Sequence, residues 1–351
     1  MTLCRHFGTC GGCAHQDMPD AAYRALKRRI VVDALARHGI AAAVDEIVEV
    51  PPGTRRRAVL KAKKEAGGVR LGFHAARTHT IVDLEECLVV TPALAALVPR
   101  LRRMLAALLA AGEDAELRLV ETDTGVDLGL RWRRPNDTAT LAALARWAEK
   151  LRLARVSAHG ETTVELAKPT VRLGKATVAL SPETFLQPTR EGEAALQAFV
   201  GESLAGARRI ADLFAGCGTF TFPLAEKAQV RAVELDASML AALAAAAKTA
   251  SGLKPITTER RNLFRRPLSE TELASYDAVV LDPPRAGALE QAKVLARSQI
   301  GRVAYVSCDA ETFARDARVL IDGGFRLGRV VPVDQFLWSS HIELAALFQR
   351  G

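Results

Sequence analysis

The stretch ADLFAGCGTFTFPLA, residues 211–225, decides which class of fold this chain can adopt. It begins as an apolar β-type run that contains Asp212, passes a pair of glycines, and continues as an apolar helical run. Gly216 and Gly218 allow a sharp turn and a close approach of the backbone to a ligand. The stretch therefore predicts a strand, a tight turn and a helix, the repeating unit of an α/β fold with parallel strands.

The rest of the chain after residue 190 repeats this alternation of β-rich and helical runs. Further strands are predicted at residues 230–237, 276–284 and 302–308. Further helices are predicted at residues 238–250 and 310–321. The last two β-rich runs, GFRLGRVVPVDQF and HIELAALFQ, have no helix between them. We therefore expect them to pair as an antiparallel hairpin at the end of the sheet, and we assign residues 191–351 to one α/β domain.

Residues 1–190 have a different pattern. Residues 116–132 and 170–181 carry β-branched side chains broken by Gly and Asp, which is typical of hairpins. Residues 94–112 show one clear amphipathic helical period. The first 190 residues are therefore predicted to form a smaller, mixed α/β domain.

The composition excludes secreted and membrane-spanning proteins. Hydrophobic residues make up 49% of the 351 residues and charged residues 25%, as in globular proteins. The chain has no run of eighteen apolar residues and no basic start followed by an apolar stretch. The cytoplasm is the predicted location, and its reducing conditions disfavour structural disulfides.

Positive charge is concentrated in the first third of the chain. Residues 1–110 contain 17 Lys and Arg against 10 Asp and Glu, a net charge of +7, whereas the whole chain carries +8. A surface for a polyanion and a merely solvated basic face explain this excess equally well. RRRAVLKAKK, residues 55–64, has six basic residues in ten and is the best candidate for contacts with phosphates.

The glycine turn and the next strand together predict a nucleoside cofactor. Glu234 ends that strand, where a carboxylate can accept both hydroxyls of a ribose. Phe220 and Thr221 follow the glycine pair where the dinucleotide pattern G-x-G-x-x-G needs glycine. The sequence thus favours S-adenosylmethionine over a dinucleotide; the alternative is an ordinary tight turn with a surface glutamate.

Two further strands deliver reactive side chains to the same edge of the sheet. LDPPRAG places Asp282 at a strand tip that Pro283 and Pro284 must end, because proline has no N–H and a fixed φ. VSCD places Cys308 at the end of the following strand. Open α/β sheets bind ligands at this edge. A buried, inert cysteine is the alternative for Cys308.

Three of the six cysteines lie within CRHFGTCGGC, residues 4–13, and Cys87 follows in the same half of the chain. Cys4, Cys10, Cys13 and Cys87 supply the four thiolates that an iron–sulfur cluster needs. The C-x5-C-x2-C spacing differs from the common ferredoxin patterns, and a zinc ion accepts the same four ligands. The residues alone leave both possibilities open.

With these residues in place, the chain resembles the RNA uridine-5-methyltransferase family, bacterial enzymes that make 5-methyluridine in 23S ribosomal or transfer RNA. The resemblance covers nearly the whole chain and includes the cysteine motif, SPETFLQPT, DLFAGCGTFTFPLA, LDPPRAG, VSCDAETFARD and HIELAALF. It implies a Rossmann-like class I S-adenosylmethionine-dependent methyltransferase domain preceded by a smaller mixed α/β iron–sulfur domain. RNA is the implied partner, with ribosomal RNA favoured over transfer RNA.

The resemblance also implies roles for individual residues. Cys308 is the implied nucleophile and Glu343 the implied base. The four cysteines are implied ligands of a four-iron four-sulfur cluster. The implied cofactor-binding residues are Gln187, Phe214, Thr219, Glu234, Asn262 and Asp282, and of these Gln187 and Asp282 position either the uracil edge or the methionine moiety.

The chain departs from the family at two points. It begins three residues before Cys4, so we expect no N-terminal RNA-binding barrel of the kind several members carry. Leu337 and Trp338 stand where relatives would have Pro and His, and Trp338 is predicted to be core or, less readily, a base-stacking residue. A cytosine-5 methyltransferase and a non-catalytic iron–sulfur RNA-binding protein are the competing functions. For Glu343 the alternative is a salt-bridged surface glutamate.

Overall fold

The computed structural model describes residues 3–350. These residues form an eight-stranded sheet, a six-stranded sheet and a separate two-stranded hairpin, with helices against both large sheets. The helices are α1 (Asp20–Arg37), α2 (Pro92–Leu108), α3 (Thr138–Leu151), α4 (Arg190–Ser203), α5 (Thr221–Ala225), α6 (Ala237–Thr249), α7 (Glu270–Leu273), α8 (Leu289–Arg297) and α9 (Ala310–Asp322).

The strands of the described residues are two to nine residues long. Their bounds are β1 (Val48–Glu49), β2 (Arg57–Glu65), β3 (Gly68–Gly72), β4 (Asp114–Thr122), β5 (Gly125–Trp132), β6 (Leu153–Ala158), β7 (Glu161–Glu165), β8 (Thr170–Leu173), β9 (Ala176–Ala179), β10 (Arg209–Leu213), β11 (Gln229–Glu234), β12 (Ile256–Arg260), β13 (Ala278–Leu281), β14 (Arg302–Ser307), β15 (Arg326–Asp334) and β16 (Glu343–Gln349).

The eight-stranded sheet has the order β1-β15-β16-β14-β13-β10-β11-β12. All neighbouring pairs are parallel except those that β16 makes with β14 and β15. The predicted strands after residue 190 and the closing antiparallel hairpin are therefore confirmed. The hairpin does not end the sheet, however, because β1 pairs with the outer side of β15.

Helices cover both faces of this sheet, so its central strands are apolar throughout. All four residues of β13 are buried, as are the core positions of β10 and β14. One face packs against α1, α8 and α9, and the other against α4 and α5. A sheet with this double cover presents its carboxyl ends as the accessible edge.

The six-stranded sheet has the order β3-β2-β4-β5-β6-β7 and is covered on one face by α2 and α3. Side chains along β2 alternate, so that Ala58, Leu60 and Ala62 are buried while Val59 and Lys63 are exposed. The hairpins predicted at residues 116–132 and 170–181 are β4-β5 and β8-β9. The helix predicted at 94–112 runs from Pro92 to Leu108.

The first fifty residues contribute to the eight-stranded sheet rather than to the six-stranded one. Val31, Ala34 and Leu35 of α1 share a core with β10 and α9, and β1 joins the eight-stranded sheet. The division of the chain at residue 190 stays a prediction. None of the helices within residues 3–350 combines the length and the apolar content needed to cross a membrane.

Candidate active site

A cavity of about 490 Å³ opens at the carboxyl edge of the eight-stranded sheet. The ends of β10, β11, β13 and β14 meet there, together with the first residue of the antiparallel β16. Every residue predicted to bind the cofactor or to act in catalysis lines this one cavity: Gln187, Phe214, Thr219, Glu234, Asn262, Asp282, Cys308 and Glu343. The structure brings all eight together, and their individual roles remain predictions.

The glycine turn is shaped by local crowding as well as by its dihedral angles. Gly218 has φ +105°, and a Cβ atom there would lie 2.5 Å from the ring of Phe222. Gly216 has φ +56°, and its N–H donates to Oε2 of Glu234 at 2.9 Å. At position 218 the positive φ and the lack of space for a Cβ atom both require glycine. The path of the backbone therefore dictates the sequence of the turn.

Glu234 and Asn262 are held by the backbone around them. Oε1 of Glu234 accepts hydrogen bonds from the N–H groups of Leu235 and Asp236. Oδ1 of Asn262 accepts from the N–H of Phe264, so its amide nitrogen remains for a ligand. The rings of Phe214 and Phe264 lie 5.4 Å apart at the wall of the cavity. These side chains form one end of the cavity, which is polar and aromatic and is held in place by the surrounding backbone.

Cys308 and Glu343 face a poorly solvated part of the cavity. Burial raises the pKa of the Cys308 thiol to about 11, helped by the charges of Glu343 and Asp282 and opposed by that of Arg285. Burial also raises the pKa of Glu343 to about 7, although a hydrogen bond from Gln335 and the charge of Arg57 lower it. Glu343 is 3% exposed. It is therefore not the surface glutamate that the sequence left as an alternative.

A chain of hydrogen bonds connects two acids of the cavity. Nε2 of Gln187 donates to Oδ2 of Asp282 at 3.3 Å. Nε2 of Gln335 donates to Oε1 of Gln187 at 2.7 Å and to Oε2 of Glu343 at 2.8 Å. Sequence reasoning missed Gln335; its place next to the strand that delivers Glu343 was the available signal.

Arg57 also reaches the cavity, where its guanidinium lies 4.2 Å from the ring centroid of Phe185. Burial is the main cause of its lowered pKa, about 10, and the charges of Glu343 and Cys308 act in the opposite direction. Its Nε atom is buried and has no hydrogen-bond partner among residues 3–350. Arg57 is therefore a cation of the candidate active site, a role that sequence reasoning did not assign to it.

Two of the six basic residues in the segment 55–64, Arg56 and Lys64, are occupied by contacts within the protein. Arg56 is 1% exposed and pairs with Oε2 of Glu193 at 2.6 Å. Removing one partner of such a buried pair costs about 3–5 kcal/mol. Nζ of Lys64 donates to the carbonyl groups of Ala106 and Leu109 at the end of α2. These two charges are used inside the protein, and contacts of the other four basic residues with phosphates stay a prediction.

Cys4, Cys10, Cys13 and Cys87 line a second cavity, of about 440 Å³. Burial raises the pKa of Cys13 to about 12, and the charges of the other three cysteines raise it further. A Cβ atom on Gly11 would lie 2.9 Å from the carbonyl oxygen of His74, so the CGGC turn requires a glycine at this position. The structure thus brings the four predicted ligands around one space.

The cysteines are not arranged around a single ion. Within the described part of the chain, no three His, Cys, Asp or Glu side chains form a group that could hold one metal ion. Tetrahedral zinc with Zn–S bonds of about 2.3 Å requires sulfur atoms roughly 3.8 Å apart. The structure therefore gives no support to a preformed zinc site, and an iron–sulfur cluster is not shown by it either.

The two cavities share a wall. Phe336 and His341 line both of them. The N–H groups of Ala14 and His15 donate to the carbonyl oxygen of Trp338, at 2.7 and 3.1 Å, so the cysteine segment is tied to the loop that precedes Glu343. Trp338 is 6% exposed, which confirms that it is a core residue.

Comparison with known proteins places these features in a family. The family model described as tRNA (uracil-5-)-methyltransferase matches residues 174–351. An uncharacterised RNA methyltransferase of Brucella suis biovar 1 is 46% identical over 348 residues, which cover 99% of this chain and 84% of that protein. The 23S rRNA (uracil(1939)-C(5))-methyltransferase RlmD of Halomonas elongata is 34% identical, and the match covers 99% of this chain and 76% of that protein.

A solved structure shows the same fold. The Pyrococcus abyssi tRNA (uracil-54, C5)-methyltransferase, in complex with S-adenosyl-L-homocysteine, aligns with a TM-score of 0.75 and 23% identity, over 99% of this chain and 88% of the other. The fold is therefore the α/β fold of S-adenosylmethionine-dependent methyltransferases. Together with the sequence matches, this confirms the resemblance seen in the motifs: the chain belongs to the tRNA (uracil-5-)-methyltransferase family and is an S-adenosylmethionine-dependent RNA methyltransferase.

Proposed function

We propose that this enzyme methylates carbon 5 of a uridine in 23S ribosomal RNA, with Cys308 as nucleophile and Glu343 as base. The observation that carries the proposal is that one cavity is lined by both residues and by the glycine turn. The relative RlmD, which is named for this reaction on 23S ribosomal RNA, supports the choice of target. Transfer RNA is the competing target, because the solved structure of similar fold is named for it.

The chemistry follows from the poor reactivity of carbon 5 of uracil. Cys308, which is partly exposed, gives its thiol proton to water, and the thiolate adds to carbon 6, which turns the ring into an enolate with a nucleophilic carbon 5. Bound S-adenosylmethionine supplies the electrophilic methyl group. Glu343 then takes the proton from carbon 5, the double bond between carbons 5 and 6 re-forms, and the Cys308 sulfur leaves. Arg57 lies where its charge stabilises an oxygen anion of the ring.

The cavity fits a cationic nucleoside cofactor. Its volume lies within the usual range for small-molecule sites, roughly 300–1,000 Å³. Burial raises the pKa of Asp282 well above its usual range, and the charges of Glu343 and Glu234 add to this effect. A sulfonium or ammonium group would relieve the repulsion among these carboxylates. In this proposal Glu234 binds the ribose of the cofactor, Phe214 and Asn262 contact its adenine, and Thr219 forms part of the cavity wall beside the glycine turn.

Transfer of labelled methyl groups tests the proposed function. Purified enzyme is incubated with labelled S-adenosylmethionine and total RNA from a strain without uridine-5 methylation, and the RNA is separated by size and digested to nucleosides. We expect labelled 5-methyluridine in 23S ribosomal RNA. Label in 5-methylcytidine would establish a cytosine-5 enzyme instead, and label in the transfer RNA fraction alone would change the proposed target.

For RNA binding we propose the uncovered face of the six-stranded sheet. This open sheet face carries Lys61, Lys63, Arg70, Arg118 and Arg131 on the side opposite α2 and α3. Glu183 pairs with Arg131 at 2.6 Å and lies in the same loop as Phe185, which is 50% exposed at the cavity. The open sheet face is thus continuous with the mouth of the candidate active site.

Neutralising two charges of the open sheet face should weaken RNA binding in a salt-dependent way. For Lys63→Gln with Arg131→Gln, we expect the slope of log affinity against log salt to fall by about 1.4–1.8, or about 0.7–0.9 per lost phosphate contact. The matched control is Arg103→Gln with Arg146→Gln, which removes the same charge from exposed positions on α2 and α3. Equal slopes for both double variants would rule out this face as the RNA path.

We also propose that the four cysteines hold a four-iron four-sulfur cluster. The support is that they line one cavity without forming a single-ion site. The segment that carries Cys4, Cys10 and Cys13 contacts the loop of Cys87, because the N–H of Glu85 donates to Nε2 of His6 at 3.0 Å. A cluster bound there would cross-link the N-terminus to that loop and, through Trp338, support the loop before Glu343. We assign it a structural role.

Metal analysis of protein purified without oxygen tests the cluster. We expect a brown protein with about four irons and four sulfides per chain, and loss of most of the iron in Cys87→Ser. Cys308→Ala is the matched control, because it removes a cysteine from the other cavity and should retain all the iron. Zinc in place of iron in the anaerobic protein would contradict the proposal.

A further inference from the structure

Gln335 occupies a central but unassigned position in the candidate active site. It follows β15 directly, and its side chain is 1% exposed. Both hydrogens of its amide nitrogen are used, one by Oε1 of Gln187 and the other by Oε2 of Glu343. The side chain of Gln335 is uncharged, so it acts on the reaction through Gln187 and Glu343.

The contact fixes which oxygen of Glu343 is free to react. Oε2 accepts the N–H of Gln335, so Oε1 is the oxygen with no hydrogen bond to another side chain among the described residues and the one more accessible to the proton from carbon 5. An N–H donor also favours the ionised form of a carboxylate, which is the form that a base requires. The opposite orientation of the Gln335 amide would place its oxygen against two acceptors, so the hydrogen-bond chain determines the orientation seen here.

A glycine in the neighbouring helix α4 leaves room for the side chain of Gln335. A Cβ atom on Gly192, in the first turn of α4, would lie 2.7 Å from Oε1 of Gln335 and 2.9 Å from its Cβ. Oε1 of Gln335 is nevertheless buried and has no hydrogen-bond partner among residues 3–350. A buried amide that leaves one polar atom unpaired is unfavourable for stability, so packing alone does not explain a glutamine at this position.

We propose that Gln335 is a positioning residue that holds the carboxylate of Glu343 with Oε1 directed to carbon 5 and, through Gln187, links it to Asp282. This inference rests on the proposed role of Glu343 as base. It predicts that loss of Gln335 slows removal of the carbon 5 proton and leaves the earlier addition of Cys308 and the methyl transfer in place.

Kinetics of Gln335→Met test the inference, since Met keeps the length of the side chain and has no N–H. We expect kcat to fall about 10- to 100-fold, less than the loss of a whole general base, with kcat/KM for S-adenosylmethionine and RNA within about threefold of wild type because the earlier steps are unchanged. The fraction of RNA bound covalently through Cys308 should rise. Gln335→Asn, a milder change that cannot span both partners, should show the same pattern.

Two further comparisons separate positioning from a structural role. Gln291→Met removes another fully buried glutamine, which bonds the backbone of Leu268 and lies outside the cavity, and it should change neither kcat nor the adduct. In a Glu343→Gln background, Gln335→Met should reduce kcat no further, because it acts through Glu343.

Wild-type kcat in both Gln335 variants, or a loss of kcat that is additive with Glu343→Gln, would overturn the inference. A wild-type enzyme that makes no 5-methyluridine would instead overturn the proposed function, and this inference with it.

Discussion

Replacing Cys308 by Ala is expected to abolish methyl transfer, with a loss of at least roughly 10⁴-fold in kcat. Without the thiolate, carbon 6 of the uracil receives no nucleophile and carbon 5 never becomes reactive towards the methyl group. Neither labelled RNA nor a covalent complex should form. RNA and S-adenosylmethionine should still bind, because Cys308 forms only a small part of the wall of a cavity with many other lining residues.

Binding measurements and a second cysteine variant make this result specific. Kd values for both substrates should stay close to wild type, and the iron content proposed for Cys4, Cys10, Cys13 and Cys87 should be unchanged. Cys217→Ala is the matched variant: Cys217 lines the same cavity but is 1% exposed and packs in an apolar cluster. It should still form the covalent complex. Measurable turnover by Cys308→Ala would mean that another group, or none, adds to the base.

Local pattern was sufficient to predict the strands and helices of the second half and three residues of its cavity, whereas Gln187, Phe214, Thr219, Asn262 and Glu343 were implied only by the family resemblance. The alternation of strands and helices set the parallel sheet, and the carboxyl ends of parallel strands meet at one edge, so Glu234, Asp282 and Cys308 converge there. The same pattern could not show which sheet α1 and β1 join. Their partners, such as Val333 and Asp334 of β15, lie almost three hundred residues further along the chain.

The basic run at residues 55–64 shows why composition alone cannot separate a buried charge from exposed ones. Arg56 shares the inward register of Ala58, Leu60 and Ala62, whereas Arg57 shares the outward register of Lys63, as expected for residues that alternate along a strand. Counting charges gave all six residues the same role. Period-two reasoning would have separated Arg56 from the rest, but only the tertiary structure shows that Glu193 is its partner.

Replacing Glu343 by Gln should trap the reaction one step later than Cys308→Ala does. Gln has nearly the same shape as Glu and keeps a hydrogen-bonding end, but it cannot accept the carbon 5 proton. Addition of Cys308 and methyl transfer should therefore occur, while release of the product stalls and kcat falls roughly 10²- to 10⁴-fold. The methylated RNA should stay attached to the protein and appear as a slow, labelled band in denaturing electrophoresis.

The double variant Cys308→Ala, Glu343→Gln tests the order of the two steps, because the band must disappear when the nucleophile is absent. If Glu343→Gln instead turns over at the wild-type rate, another group removes the proton. His341 is then the first candidate: it lines the same cavity, and burial together with the charges of Arg285 and Lys27 lowers its pKa. A neutral imidazole at neutral pH can accept a proton. His341→Gln in that background should then produce the trapped band that Glu343→Gln alone did not.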